Sequence, residues 1–180
     1  MSIALKKPQK PKQLGSIKIP GNSINAYVSG TTAYVVNGVG FAVVDVSNPS
    51  RPRLLATYDT PGSTAGIYVS GATAYVTAGG AGLQIIGLPS KYPQVKALNP
   101  GSGSVGKKVI IRGSDLGNEQ GKVLIIKNDV ETECDVVSWK NTSITVTVPS
   151  GAKPGKVKIF VETADGFRTG EGKMFVVKKK

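Results

Sequence analysis

The sequence of 180 residues contains no histidine and only one cysteine, Cys134. Without histidine the chain has no Ser-His-Asp triad, no imidazole acid or base, and few ways to build a zinc site. A single cysteine excludes a disulfide within the chain, and its strand-like surroundings predict a small buried apolar side chain. No Walker loop or dinucleotide-binding glycine pattern occurs. We therefore expect a protein that is not an enzyme and that binds no cofactor and no metal.

Long apolar segments are also absent. The N-terminus reaches Lys6 and Lys7 without the apolar stretch of about 7–15 residues that a secretory signal contains. No segment approaches the roughly 20 apolar residues of a membrane span. These absences predict a chain that is made in the cytoplasm without a signal peptide and is not inserted in a membrane.

Positive charge is unevenly distributed. The formal net charge is +12, and residues 1–12 contain four lysines and no acid, while the chain ends in three more lysines. Such ends are either solvated tails or contacts to an acidic surface or to nucleic acid. No aromatic residue lies among these lysines, so base stacking is not indicated and nucleic acid is the weakest partner. The candidate contacts to an acidic partner are Lys6, Lys7, Lys10 and Lys12.

Residues 11–92 contain an internal repeat. Tyr27 and Tyr68 are 41 residues apart, as are Tyr34 and Tyr75, and one residue is gained near Gly80. Each unit consists of short runs rich in Val, Ile, Tyr and Phe, separated by turn residues, and a period near 40 is typical of four-stranded propeller blades. The predicted strands are 13–19, 24–29, 32–36, 40–46, 53–59, 64–70, 73–77 and 82–88.

The segments 40–49 and 82–88 carry a family resemblance. They read GFAVVDVSNP and GLQIIGL and resemble the LVIVD repeat, although Gly87 stands where the first copy has Asp45. This resemblance implies a propeller-like fold and a place in surface-exposed bacterial or archaeal proteins.

Residues 93–178 follow a different pattern. About seven short strands are predicted, at 94–98, 107–113, 121–127, 131–138, 143–149, 155–162 and 172–178, which is typical of an immunoglobulin-like sandwich. The segments LNPGSGSVG at 98–106, VIIRGSDLG at 109–117 and VSWKNTSITVTVP at 137–149 closely resemble the IPT/TIG domain. The resemblance implies a spacer or interaction module without catalytic residues. The predicted organisation is a basic arm (1–12), two blades (13–92), this domain (93–178) and a basic tail (178–180).

Two features of the second half permit a sharper interpretation. Trp139 is expected to fill the sandwich core, the alternative being a carbohydrate platform. Glu131, Glu133 and Asp135 are predicted to share a strand face, which is either solvated or able to hold a hard cation such as calcium.

Two blades cannot close a propeller, which needs about four to eight, and they would leave open sheet faces that are apolar at Val43, Val44, Ile85 and Ile86. Residues 24–59 contain four strands of one blade, but residues 64–88 contain only three of the next. We therefore predict that Leu14–Ile19 of one subunit pairs with Leu83–Leu88 of its neighbour, giving a homo-oligomer, with a trimer favoured over a tetramer. The predicted interface residues are Leu14, Ile17, Ile19, Leu83, Ile85 and Leu88.

Surface-type modules without a signal segment are typical of particles that assemble inside a cell. The sequence thus favours a non-enzymatic structural protein on the exterior of a virion or injection particle, as a capsid decoration, tail or fibre component. Its predicted partners are its own copies and another structural protein of the assembly, with a surface glycan as a further candidate. The alternatives are a cell-surface adhesion module or a fragment of a larger surface protein and, more weakly, a nucleic-acid binder that uses the basic tails.

Overall fold

A computed structural model describes residues 11–179, and its regular elements are β-strands apart from one short 3₁₀ turn at Gly79–Ala81. No helix among these residues is long and apolar enough to cross a membrane. The prediction of an all-β fold is confirmed.

The first repeat folds into a four-stranded antiparallel meander, here called the first repeat sheet. Gly30 forms the first hairpin turn at a φ of 58°, a left-handed conformation that a Cβ disfavours. The strands are β1 (Asn25–Ser29), β2 (Thr32–Val36), β3 (Gly40–Asp45) and β4 (Arg53–Asp59).

The second repeat forms a three-stranded meander, the second repeat sheet, from β5 (Gly66–Ser70), β6 (Thr73–Thr77) and β7 (Leu83–Gly87). The two sheets repeat the same hydrogen bonds: the Val46 amide donates to the Thr31 carbonyl and the Leu88 amide donates to the Ala72 carbonyl, each at 2.8 Å. Residues 13–19 form no strand in this single chain, so the strand predicted there has no pairing partner within the described residues.

The two repeat sheets pack face to face. On the first, Tyr27, Tyr34 and Val43 lie in register on β1, β2 and β3 and form its tyrosine row. On the second, Val69, Ala74 and Ile86 lie in register on β5, β6 and β7 and form its valine row. The core between the sheets joins residues of both rows, and Tyr34, Val43 and the whole valine row are buried there. Because side chains alternate along a strand, each sheet also carries the other kind of row on its opposite face.

The second half is a sandwich of two sheets around its own core. One sheet has the order β13 (Asp135–Lys140), β14 (Ser143–Thr147), β10 (Lys108–Ser114) and β8 (Gln94–Asn99). The other contains β12 (Val130–Glu133), β11 (Lys122–Lys127), β15 (Gly155–Glu162), β16 (Phe167–Thr169), β17 (Lys173–Val177) and the two-residue β9 (Ser102–Gly103). The prediction of about seven strands missed β9 and β16, and the run predicted at 131–138 is two strands that separate at Cys134 and belong to different sheets.

The two halves share one sheet. Strand β4 pairs antiparallel with β16, so that the first repeat sheet continues into the sandwich as a ten-stranded sheet. Phe167, the first residue of β16, is buried in the core of the repeat sheets, with its ring centroid 5.0 Å from that of Tyr58 and 6.4 Å from that of Phe41. Tyr92, just before the sandwich, packs 5.6 Å from the same ring.

Candidate interaction surfaces

The second repeat sheet exposes its tyrosine row. Tyr68, Tyr75 and Ile85 lie in register across its three strands, and 57%, 36% and 65% of their surfaces are exposed. Leu83, on the same face, is 58% exposed. Single exposed apolar residues are common on proteins, but four adjoining ones on one sheet face indicate an interaction surface. We call these four residues the open row.

The first repeat sheet carries an apolar groove on its outer face. Its floor consists of Ala33, Val35, Val44 and Val46, and the segment Gln13–Ile19 forms one wall. The groove has a volume of about 440 Å³. Gly15 crosses the Pro49 carbonyl so closely that an added Cβ would lie 2.2 Å from the carbonyl oxygen, which fixes the position of the segment.

The predicted interface residues fall into three places. Leu14, Ile17 and Ile19 line the groove, Leu83 and Ile85 belong to the open row, and Leu88 packs against the core between the repeat sheets. Leu14 remains 63% exposed although it lines the groove. The groove and the open row lie on the outer faces of the two-sheet stack, so one chain does not bring them together.

The expected set of open apolar positions needs correction. Val43, Val44, Ile85 and Ile86 were all expected on open faces, but only Ile85 is open. Val43 and Ile86 meet in the core between the sheets, and Val44 lies at the floor of the groove. The sequence pattern shows that both faces are apolar but does not show which face a neighbouring sheet covers.

A polar cluster lies at the joint between the halves. Arg168 on β16 binds Glu131 with a Nη1–Oε1 distance of 2.7 Å and Glu162 with a Nη2–Oε2 distance of 3.0 Å. Burial raises the pKa of the nearby Asp59 carboxyl, and the charge of Arg168 partly offsets this shift. These contacts join β16 to β12 and β15 within the sandwich and so help to hold the strand that pairs with β4. The sequence pattern did not indicate them, because β16 is too short to show alternation.

The acidic strand does not form as predicted. Glu131 and Glu133 lie on β12, whereas Asp135 lies on β13 in the other sheet, so the three do not share a strand face. The chain crosses between the sheets at Cys134, whose side chain is buried as expected. Within residues 11–179 no group of three or more acidic, histidine or cysteine side chains is arranged to hold a metal ion.

Trp139 was predicted to fill the sandwich core but is half-buried and packs against it. Its indole Nε1 donates to the carbonyls of Leu116 and Gly117 at 3.2 and 3.1 Å. These bonds anchor the ring to the neighbouring loop. Of the lysines predicted to contact an acidic partner, Lys12 is exposed, whereas Lys6, Lys7 and Lys10 lie outside the described residues.

Comparison with known proteins supports the division of the chain. Residues 20–60 and 61–88 match the LVIVD repeat, and residues 93–175 match the IPT/TIG domain. A cyclomaltodextrin glucanotransferase of Bacillus sp. (strain 1-1) is 33% identical over 89 residues, which are 49% of this chain and 12% of that enzyme. The corresponding enzyme of Geobacillus stearothermophilus is 36% identical over 74 residues, 41% of this chain and 10% of the enzyme.

The chain thus spans only about a tenth of the length of these relatives. Among solved structures, a gamma-CGTase from alkalophilic Bacillus clarkii aligns with 85% of this chain and 25% of its own, at 17% identity and a TM-score of 0.43.

Proposed function

We propose, from the premise that this chain carries LVIVD repeats at residues 20–88 followed by an IPT/TIG domain at residues 93–175, that it is a non-enzymatic structural and binding protein. In this proposal it is an oligomeric, surface-exposed component of a larger particle, such as a capsid decoration, tail or fibre protein. Its partners are its own copies and another structural protein of the same particle.

The observation that carries the proposal is the joint between the halves. Domains in one chain usually move relative to each other unless their interface is large and apolar. Here β4 pairs with β16 in one continuous sheet, and Phe167 from the sandwich is buried in the core of the repeats. A binding surface on either half is therefore held in a fixed orientation relative to the other half, which suits a part that occupies a set position in an assembly.

Charge supports an acidic partner within the particle. The formal net charge is +12, and the N-terminal twelve residues contribute four lysines without an acid. Lysines near a surface of opposite charge raise the rate of association and lose that effect as salt is added. In this proposal the basic arm contacts an acidic structural protein and makes no sequence-specific contact.

Self-association completes the proposed role. We expect Leu14–Ile19 of one copy to pair with the β7 edge of the next, closing a ring, with three copies favoured. Light scattering on the full chain and on a chain lacking residues 1–20 tests this pairing. The full chain is expected to form the oligomer and the shortened chain to be monomeric.

The proposed role is tested by fractionating the organism that makes the protein. Antibody detection across a density gradient is expected to show the chain in a particle fraction together with other structural proteins. Its recovery in the cell envelope would replace the proposal with a surface-adhesion role. Turnover of a polysaccharide or ester substrate that one point substitution abolishes would contradict the absence of catalysis.

A further inference from the structure

The core between the repeat sheets has a fixed composition: a tyrosine row from one sheet packs on a valine row from the next. Tyr34 and Val43 of the first sheet are 8% and 0% exposed, and Ala74 and Ile86 of the second are 0% and 7% exposed. The order of the two sheets in the chain sets which row each one contributes. Each repeat unit has both rows, but one contact between two sheets uses only one row of each.

Among residues 11–179, one row of each kind has no partner sheet. The tyrosine row of the second sheet, Tyr68, Tyr75 and Ile85, forms the open row together with Leu83. The valine row of the first sheet, with Val28, Ala33 and Val44, faces the groove side. These two rows are the repeat equivalents of the two rows that pack together within the chain. We therefore expect them to match each other in shape and apolar character.

We infer that the open row of one copy packs on the valine row and groove of a second copy of this chain, repeating between chains the contact that joins the two sheets within one chain. This inference rests on the self-association in the proposed function and names the surfaces that carry it. The contact is head to tail, because the donor and acceptor surfaces are different parts of the chain.

The N-terminal segment is already placed for this contact. By the repeat, Leu14, Gly15 and Ile17 correspond to Leu55, Ala56 and Tyr58 of β4. Those three β4 residues belong to or pack against the core between the sheets. The groove therefore corresponds to that core without its tyrosine row. Leu14 is 63% exposed because no row covers it in the part of the chain that the structure describes.

Polar contacts around the core predict equivalents between chains. The Thr64 hydroxyl donates to the Gly40 carbonyl at 3.0 Å. This bond links the segment just before β5 to the start of β3. The repeat equivalents are Ser23, an exposed residue that keeps the hydroxyl, and Gly82. We expect Ser23 of one copy to donate to the Gly82 carbonyl of the next.

The tyrosines of the first strands repeat in the same way. The rings of Tyr27 and Tyr68 lie 5.1 Å apart at an interplanar angle of 67°. Tyr68 is the repeat equivalent of Tyr27 and is 57% exposed. In the assembly it is expected to contact Tyr27 of the next copy as an edge-to-face pair.

Two single substitutions in the full chain test the inference. Ile85→Lys places a charge on the open row, and Val35→Lys places one in the groove. The matched control is Val137→Lys on the sandwich, where Val137 is 50% exposed. Light scattering and native mass spectrometry should find wild type and Val137→Lys oligomeric and the other two monomeric. Amide spectra verify folding, and Val46→Lys replaces Val35→Lys if the latter unfolds.

Mixing the two monomeric variants distinguishes head-to-tail packing from a symmetric dimer. Ile85→Lys retains an intact groove and Val35→Lys retains an intact open row, so together they should form one contact and stop at a heterodimer. A mixture that stays monomeric, or single variants that keep the wild-type oligomer, would overturn the inference, as would a monomeric wild type. None of these outcomes decides whether the protein fractionates with a particle, which tests the proposed function separately.

Discussion

The two halves of the chain bury their apolar residues in different ways. The sandwich encloses its core between its own sheets, with Ile111, Ile144 and Ile159 fully buried. The repeat half buries the contact between its two sheets, leaves the open row exposed, and takes one of its core residues, Phe167, from the other half. A sandwich is complete when two sheets face each other, whereas a stack of like sheets always has two outer faces. The repeat half therefore depends on its neighbours and the sandwich does not.

The largest expected effect comes from separating the two halves, because only the repeat half depends on the other for its core. Residues 93–180 alone are expected to fold, because the sandwich core contains only residues of that range. Residues 1–92 alone lose Phe167 and the β16 partner of β4, and we expect them to aggregate. Amide spectra test both fragments: a poorly dispersed spectrum from 93–180 would contradict the independence of the sandwich.

Phe167→Ala in the full chain should destabilise the repeat half without cutting the chain. Removing a fully buried phenylalanine costs about 3–5 kcal/mol, and here the cavity opens in the repeat core. Trp139, the only tryptophan, lies in the sandwich. Urea unfolding should show the far-ultraviolet signal of the strands changing at lower urea than Trp139 fluorescence. Val137→Ala, at an exposed sandwich position, is the control, and coincident shifted transitions would show that the halves unfold together.

The Cys134 thiol reports opening of the sandwich alone. Burial raises the pKa of Cys134 from 9.0 to about 12, so the native thiolate fraction near neutral pH is about 1,000-fold below that of the unfolded chain. Alkylation should be slow in the native protein and fast in urea. Because the folded-state pKa is the higher one, this group's contribution to stability is lost as pH rises from about 9 towards 12. Labelling as fast in the native chain as in urea would contradict burial.

The ion pairs at the joint should have the smallest effect. Glu131→Gln removes one carboxylate from Arg168, but the Glu131 side chain is 44% exposed and Glu162 still pairs with Arg168. Exposed pairs contribute about 0–1 kcal/mol, so the midpoint of urea unfolding should fall only slightly. Added salt should shrink the difference from wild type. A loss as large as that of Phe167→Ala would show that charge, and not aromatic packing, holds β16 in place.

The repeat and the all-β fold are predictable because they follow from periodicity and turn residues. The joint was not predictable, because Phe167-Arg168-Thr169 is too short a run to show alternation and directly follows a turn signal. The burial of Val43 compared with the exposure of Ile85 was not predictable for another reason. Equivalent positions in a repeat have the same sequence pattern, and only their place in the stack decides which one is covered.

The pairing of β4 with β16 also has a consequence during synthesis of the chain. More than 100 residues separate Asp59, at the end of β4, from Phe167. At translation rates of about 5–20 residues per second, β4 is synthesised roughly 5–20 s before its partner strand β16. During that interval Phe41 and Tyr58 lack the ring of Phe167, which packs against both of them, and the edge of β4 is open. Unpaired strand edges and exposed apolar surface favour aggregation, so slower translation of the sandwich is expected to increase mispairing between nascent chains.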